Sequence, residues 1–358
     1  MKVKFIDLSR NDYIMYEDAL KRVFKHGIFI LGEEVEKFEK KIEEKFGSFC
    51  VGVSSGTDAL IIALKAYGIK EGDEVVLPNI SYIATANAVA FTGATPVFCD
   101  VEDDFQLDPK RLESLITPKT KAVIMVHYGG SIGKIEKVKE IARKHGLILI
   151  EDAAQAFGAV RNGKFAGTIG DIGCFSLNPM KVLGAFGEAG MVLTKDKNVY
   201  NRLYAMRNNG LDQDKKSVTV GFNAKMDALQ AAVLKEKLKF TEINIRKRQK
   251  IVKKYNDAFE NFVKTPEYSD DSVYFTYTVL TERRDELLEY LNKNGIEAKV
   301  YHTAITLERP YRAYHHKNLE NSVKLSRQKI ALPCNEYMSE EEVDYVIYTV
   351  KKFFSDYE

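Results

Sequence analysis

Apolar positions along this chain change their spacing in a regular alternation. Residues 13–25 and 33–46 place apolar side chains three and four apart, the spacing of amphipathic helices. A short apolar segment then runs into Ser54-Ser55-Gly56-Thr57-Asp58, and a helical run follows over 59–67. Beyond it, apolar runs with strand character at 74–78, 96–100, 121–127 and 147–152 are interleaved with helical patterns at 82–91 and 135–144. Such alternation predicts an α/β protein with a mostly parallel sheet covered by helices. In sheets of this kind ligands collect beyond the carboxyl ends of the strands. Asp152 and Gln155 fall at one such end, and Tyr82 lies just beyond another.

From residue 227 a long helical pattern, broken near Thr241, runs to about residue 262. A strand over 273–280, a helix over 285–294 stopped by Gly295, a loop over 301–314 and a closing helix over 340–354 complete the chain. The pattern predicts a large domain over residues 1–235, and a linking helix with a small C-terminal α/β domain over 236–358. No internal repeat, low-complexity tract or disordered linker interrupts it.

Composition narrows the picture. At 358 residues, 45% hydrophobic and 29% charged, the chain can bury a core large enough for two domains. Its 53 Lys+Arg against 51 Asp+Glu leave a formal charge of +2, which gives no electrostatic reason to expect nucleic acid or a membrane surface. The densest basic run, Arg246-Lys247-Arg248 with Lys250, Lys253 and Lys254, falls in a helical pattern and reads as a solvated face. No apolar run approaches bilayer length and the N-terminus lacks a signal-peptide pattern, so a cytoplasmic protein is expected. Cys50, Cys99, Cys174 and Cys334 are far apart, with no CxxC pair and no histidine at metal-ligand spacing. They are expected to be buried thiols, His315-His316 a surface loop, and no metal is expected.

The chemistry concentrates around Lys181, set among small residues and glycines from Cys174 to Gly190. A lysine amine condenses with an aldehyde to a Schiff base when it is shielded from water and close to a counterion network. The turn at 54–58 offers backbone N–H groups and a positive helix end suited to a phosphate, although the same residues would serve an ordinary N-cap. Pyridoxal phosphate would draw these features together. Its pyridine nitrogen stays protonated only beside a carboxylate, a role Asp152 fits; its phosphate needs donors, for which Gly56, Thr57 and Ser176 are candidates; its ring needs a flat partner, and Tyr82 is available. Two other readings explain less. Gly184, Gly187 and Gly190 form a GxxGxxG spacing without the strand-turn pattern of a dinucleotide fingerprint, and Ser176 with His127 lacks a nucleophile elbow. Neither accounts for Asp152 and Lys181.

At this point the chain resembles, over nearly its whole length, the DegT/DnrJ/StrS family of pyridoxal-phosphate aminotransferases. The residues carrying the resemblance are Gly32-Glu33 with Phe38-Glu39, Ser54 to Leu60, Gly72-Asp73-Glu74-Val75, Tyr82 to Ala86, Glu151 to Ala156, Ala166-Gly167-Thr168 with Gly170 to Gly173, the lysine segment, and Gly221-Phe222-Asn223 followed by Asp227 to Ala232. The resemblance implies the aspartate-aminotransferase fold, fold type I of these enzymes. It implies that Lys181 forms the Schiff base with pyridoxal 5'-phosphate and then shuttles protons, and that Asp152 pairs with the pyridine nitrogen. Gln155 is expected near the cofactor's phenolic oxygen, Tyr82 against its ring, and Gly56, Thr57 and Ser176 at its phosphate. Asn223 is expected to reach the phosphate of a neighbouring subunit, which implies a homodimer with shared active sites. Lysine at 181, where related dehydratases carry histidine, favours transamination.

Three departures bear on the substrate. Phe157 stands where histidine is common, Lys225 where many relatives have arginine, and Val300-Tyr301-His302-Thr303-Ala304-Ile305-Thr306 replaces a His-Tyr-Pro run. Lysine does not reproduce arginine's bidentate fork. The function expected is transfer of an amino group from L-glutamate to a keto sugar attached to UDP or dTDP, in the biosynthesis of surface polysaccharides. The alternatives are the same transamination on a small phosphorylated ketone such as dihydroxyacetone phosphate, giving serinol phosphate, and a non-catalytic regulatory module on this fold.

Overall fold

The computed structural model describes residues 1–355. Its chain opens with α1 (Glu17–His26) and α2 (Glu33–Phe46), α1 starting later than its periodicity suggests because residues 14–16 form a separate 3-10 turn. Then follow β1 (Phe49–Val53), α3 (Gly56–Ala66), β2 (Glu74–Pro78), α4 (Ile83–Phe91), β3 (Thr95–Cys99), α5 (Pro109–Leu112), β4 (Thr120–Val126), α6 (Ile135–Lys144) and β5 (Ile148–Asp152). A short hairpin, β6 (Val160–Arg161) with β7 (Lys164–Phe165), leads to β8 (Ile172–Ser176), β9 (Gly190–Thr194) and α7 (Lys197–Met206). The remainder comprises α8 (Ala228–Lys237), α9 (Thr241–Phe259), β10 (Tyr277–Leu280), α10 (Arg284–Lys293), α11 (Glu320–Gln328), β11 (Lys329–Leu332) and α12 (Glu340–Ser355).

Seven strands form one sheet in the order β1-β9-β8-β5-β4-β2-β3. All neighbours run parallel except β9, which is antiparallel to both β1 and β8. The central strands are apolar on both faces because helices cover both, as parallel sheets require. One core cluster, with Phe38, Ile42, Phe46 and Phe175, lies on one face; another, with Leu60, Ile62, Leu64 and Leu203, lies on the other. Phe157 packs into the first, its ring centroid 5.4 Å from that of Phe46 and 6.0 Å from that of Phe175. That position is therefore core, and an apolar side chain there is explained by packing.

A third cluster joins α9, α10, α12, β10 and β11, and Val3 at the chain start belongs to it through a parallel bridge to Ile296. The strand expected over 273–280 is shorter, because residues 273–276 run along Gly129 and Gly130 instead. Val273 donates to the Gly130 carbonyl at 3.0 Å, and Gly130 adopts φ +95°, a conformation that suits glycine. The basic run is also corrected at one position: Arg248 is buried, paired with Glu336 at 2.5 Å, and donates to the carbonyls of Tyr274, Phe275 and Cys334. Its neighbours Arg246, Lys247, Lys250, Lys253 and Lys254 are exposed. All four cysteines are free and buried. No helix among the described residues is long and apolar enough to cross a membrane.

Candidate active site

The carboxyl ends of β2, β4, β5 and β8 meet the first turns of α3 and α4, and the expected residues other than Asn223 gather there. Lys181 lies in the crossing between the antiparallel strands β8 and β9. That crossing folds back on itself: Leu177 N–H donates to the Ala189 carbonyl at 2.8 Å, and Ala185 N–H to the Leu177 carbonyl at 2.8 Å. The Lys181 amine sits 4.5 Å over the Phe275 ring. Burial pushes it down to about 8, while the charges of Asp152 and Glu188 pull the other way. An amine in this range takes up and releases a proton near neutral pH.

Asp152 ends β5 and is buried. One carboxylate oxygen accepts from Thr85 Oγ1 at 2.8 Å and the other from the Ala154 N–H at 3.2 Å. Burial raises its pKa, opposed by these hydrogen bonds and by Lys181. A buried carboxylate without a hydrogen-bonded cation is costly, and a protonated ring nitrogen would relieve that cost.

The turn at 54–58 forms the N-cap of α3 and leaves backbone donors free for the phosphate role also expected of it. Ser55 caps α3, its Oγ accepting from the Asp58 N–H at 3.1 Å, and the N–H groups of Gly56 and Thr57 fall in the first turn, where a helix supplies no acceptor. Ser176, at the end of β8, lies directly against this turn. A methyl group on Gly56 would sit 2.6 Å from the Ser176 Cβ, so only glycine permits this approach. Two backbone donors, a helix end and a hydroxyl converge, as a phosphate requires.

Gln155 is buried, and its Oε1 accepts from the Gly129 N–H at 2.8 Å. Because a donor faces that end, the amide orientation is settled, and the NH2 group is the end the side chain presents elsewhere. Tyr82 is exposed at the start of α4 with its ring 5.2 Å from that of His302. Asn223 is not brought into this cluster. It is exposed, and its segment lies beside β1, where Lys225 bridges to Val53 and the Ala224 carbonyl accepts from Ser54 N–H.

Other residues take part that sequence patterns left aside. Thr85, three residues after Tyr82 on α4, holds Asp152 and lies 2.7 Å from the Ser81 hydroxyl. His127 is buried, its Nε2 2.7 Å from Glu151 Oε2, and Glu151 also accepts from the N–H groups of Gly167, Ile169 and Gly170. Thus Glu151 fastens the 167–170 loop and His127 beneath Asp152. Asn79 anchors the 301–306 segment: its carbonyl accepts from Ile305 N–H at 2.7 Å, its Oδ1 from Thr306 N–H at 3.0 Å, and its Nδ2 donates to Ser322 at 2.8 Å. These residues fit pyridoxal 5'-phosphate: a depressed amine, a buried carboxylate and a helix turn with free backbone donors lie at neighbouring strand ends.

Comparison with known proteins agrees with this geometry. Residues 15–351 match the model of the DegT/DnrJ/EryC1/StrS aminotransferase family. The chain is 34% identical over 353 residues to the UDP-2-acetamido-2-deoxy-3-oxo-D-glucuronate aminotransferase of Pseudomonas aeruginosa, covering 96% of this chain and 98% of that protein. It is likewise 34% identical over 360 residues to the dTDP-3-amino-3,6-dideoxy-alpha-D-galactopyranose transaminase of Aneurinibacillus thermoaerophilus, covering 98% and 99%. Among solved structures, NtdA from Bacillus subtilis with bound cofactor PMP superposes with a TM-score of 0.92 at 31% identity, covering 99% of this chain and 85% of that one.

Proposed function

The chain belongs to the DegT/DnrJ/EryC1/StrS aminotransferase family and is a pyridoxal 5'-phosphate enzyme, and on that premise we propose that it moves the amino group of L-glutamate to a keto sugar carried on UDP or dTDP. The products are 2-oxoglutarate and the corresponding amino sugar, a building block for surface polysaccharide. The observation that carries this reading is the gathering at neighbouring strand ends of the Lys181 amine over the Phe275 ring, the buried Asp152 carboxylate and the close approach of Gly56 to Ser176. The named relatives act on UDP- and dTDP-linked sugars, which supports the acceptor class.

Bound there, the cofactor supplies an aldehyde that takes up amino groups and a ring that withdraws electron density from the carbon being deprotonated. The chain's residues do the rest. Gly56 and Thr57 N–H groups with Ser176 would hold the phosphate, and Asp152, oriented by Thr85, would hold the proton at the ring nitrogen. Tyr82 would stand against the ring, and Gln155, its oxygen already taken by the Gly129 N–H, would have its NH2 free for the cofactor. Lys181 removes a proton from the donor's α-carbon and returns one to the acceptor carbon, which its depressed basicity suits.

A homodimer completes the site in this reading. Phe24, Ile28, Phe29 and Ile30 form an exposed apolar stretch, and Val220 is 90% exposed just before Asn223. Such patches suit a subunit contact that would deliver Asn223 to a neighbour's phosphate cradle.

The test is turnover of purified holoenzyme with L-glutamate and a panel of UDP- and dTDP-linked keto sugars, products identified by NMR. Amination of a nucleotide-linked ketone is expected, with Lys181→Ala abolishing it. Amination of dihydroxyacetone phosphate alone would replace this acceptor with the smaller one, a reading that the altered 300–306 run favours.

A further inference from the structure

Between the central sheet and the C-terminal part lies a cavity of about 790 Å³ to which none of Lys181, Asp152, Ser176 and Tyr82 contributes. Two aromatic pairs line it: Phe105 packs on Tyr128 with ring centroids 5.0 Å apart, and Tyr274 stacks on Tyr268 at 6.0 Å. Phe105, Tyr128 and Tyr274 are buried, whereas Asp103, Asp104, Glu267 and Asp271 line the same cavity at exposed positions. Two cations share the lining and both are engaged, Lys264 with Asp103 at 2.6 Å and Arg161 with Glu136 at 2.9 Å. Among the described residues no ion pair joins Asp104, Glu267 or Asp271 to a cation. The Lys329 amine, which donates to the His302 carbonyl, lies against the Phe105 and Tyr128 rings but does not line the cavity, and burial pushes it well below its usual range.

Two of these aromatic residues are held in a conformation that side chains rarely adopt, Phe105 at φ +66° and Tyr274 at φ +46°. Left-handed non-glycine residues cost stability and persist where the surroundings hold a ligand clamp in shape. Partial burial raises the Asp104 carboxyl, against the hydrogen bond it accepts from Gln106 N–H, so a cation beside it would be welcome. Toward the active site the cavity wall is one stretch of chain. Tyr274 and Thr276 line the cavity, and between them the Phe275 ring lies 4.5 Å from the Lys181 amine. Gly129 also lines it, and its N–H donates to Gln155 Oε1 at 2.8 Å. The packing at this wall is tight: a methyl group on Gly130 would sit 2.9 Å from the Phe275 nitrogen and 3.0 Å from the Gln155 carbonyl oxygen. Whatever fills the cavity therefore presses on residues that touch Lys181 and Gln155.

We propose that this cavity binds a small organic cation, a protonated or quaternary amine with an apolar body, and that its occupancy is felt at Lys181 and Gln155. Aromatic rings beside carboxylates that lack partners are the chemistry that recognises such a group, the rings by attraction to the cation and the carboxylates by charge. A bare metal ion would leave the rings unused, and an anion would meet three unpaired carboxylates. The site is separate from the transamination itself and holds whichever ketone is aminated.

The experiment is calorimetric titration of the holoenzyme with choline and with tetraethylammonium, neither of which can condense with the cofactor, and with acetate as the anionic control. Saturable binding of one cation per subunit is expected, at millimolar affinity or better and weakening as salt rises, with none for acetate. Asp104→Asn combined with Glu267→Gln should weaken binding by about tenfold or more, and Tyr268→Leu by about threefold or more. Cofactor titration of these variants should match the unsubstituted protein, which separates a lost ligand from a lost fold. The glutamate half-reaction, followed by cofactor absorbance, should change in rate by more than about twofold when the cation saturates, and not in the double variant. No saturable binding of either cation, or equal binding by the double variant, overturns the site. Binding that leaves the half-reaction within about twofold overturns its coupling to Lys181 and Gln155. Failure to aminate any nucleotide-linked ketone overturns only the acceptor reading above.

Discussion

Thr85 Oγ1 donates to the Asp152 carboxylate at 2.8 Å, so the first turn of α4 orients the group at the end of β5. Ser81 stands behind it, 2.7 Å from the same hydroxyl. Asp152 is raised by burial and lowered by Thr85, and removing that donor leaves burial less opposed. Thr85→Val keeps the shape and deletes the hydroxyl. The expected result is weaker cofactor binding and about a tenfold fall in kcat, with a stability loss of about 1–2 kcal/mol. Cofactor titration and thermal unfolding measure both; unchanged cofactor affinity would show that Asp152 needs no such support.

Lys181 makes the protein without cofactor less stable than it could be. Its amine is lowered from 10.5 to about 8, so the unfolded chain holds the proton more tightly. The cost is fully present below about pH 8 and fades as pH rises toward 10.5. Lys181→Met should therefore stabilise the apoprotein at pH 7 by on the order of 1–3 kcal/mol, discounted for partial exposure, while abolishing turnover. Denaturant unfolding at pH 7 and pH 9.5 reads this; a gain that does not shrink at the higher pH would contradict the cause given.

Glu151 is a fastening rather than a catalyst. Burial raises its carboxyl, but His127 and the N–H groups of Gly167, Ile169 and Gly170 together bring it below the usual 4.5. A carboxylate lowered on folding stabilises above its ordinary pKa, and that contribution is lost as pH falls through its folded value. Glu151→Gln should cost about 2–3 kcal/mol at pH 7, and the gap to the unsubstituted protein should narrow toward pH 4 and below. Parallel unfolding curves at every pH would count against this account.

Gly56→Ala tests the cradle by volume alone, since Gly56 is not in the left-handed region. The added methyl would meet Ser176 Cβ at 2.6 Å and Cα at 2.9 Å, so α3 and β8 must separate. The dissociation constant for pyridoxal 5'-phosphate should rise by about tenfold or more, as two orphan N–H groups leave the phosphate. Fluorescence titration of the apoprotein decides; wild-type affinity would place the phosphate elsewhere.

Much of this architecture was legible in the order of residues, for identifiable reasons. α2, β2 and α6 begin and end where the pattern placed them or within a residue, because each is punctuated by glycine, proline or a change of period. Lys181, Asp152, Gly56 and Ser176 sit in short motifs whose residue types announce their chemistry. β8 and β9 were harder, since five-residue strands around a glycine-rich crossing carry little periodicity. Arg248 occupies an inward position on α9 beside Ile251 and Val252, but its charge suggested solvent, and only the distant Glu336 explains it. His302 and Lys329 depend on one another across 27 residues and on Tyr128 in another strand's loop, a relation no local pattern expresses.

Asn79 gives the molecule a property of a different kind. Residues 301–306 arrive by way of the C-terminal half, yet Asn79 bonds the last two of them, Ile305 and Thr306, to the end of β2 through its carbonyl and its side-chain oxygen. Mechanically the strip joins the central sheet to the C-terminal part, since His302 and Ala304 are held by Lys329 of β11 and Ser326 of α11. The strip is thus a rivet between the sheet and the helices outside it, and neither side can shift without the other feeling it through residues 302–306.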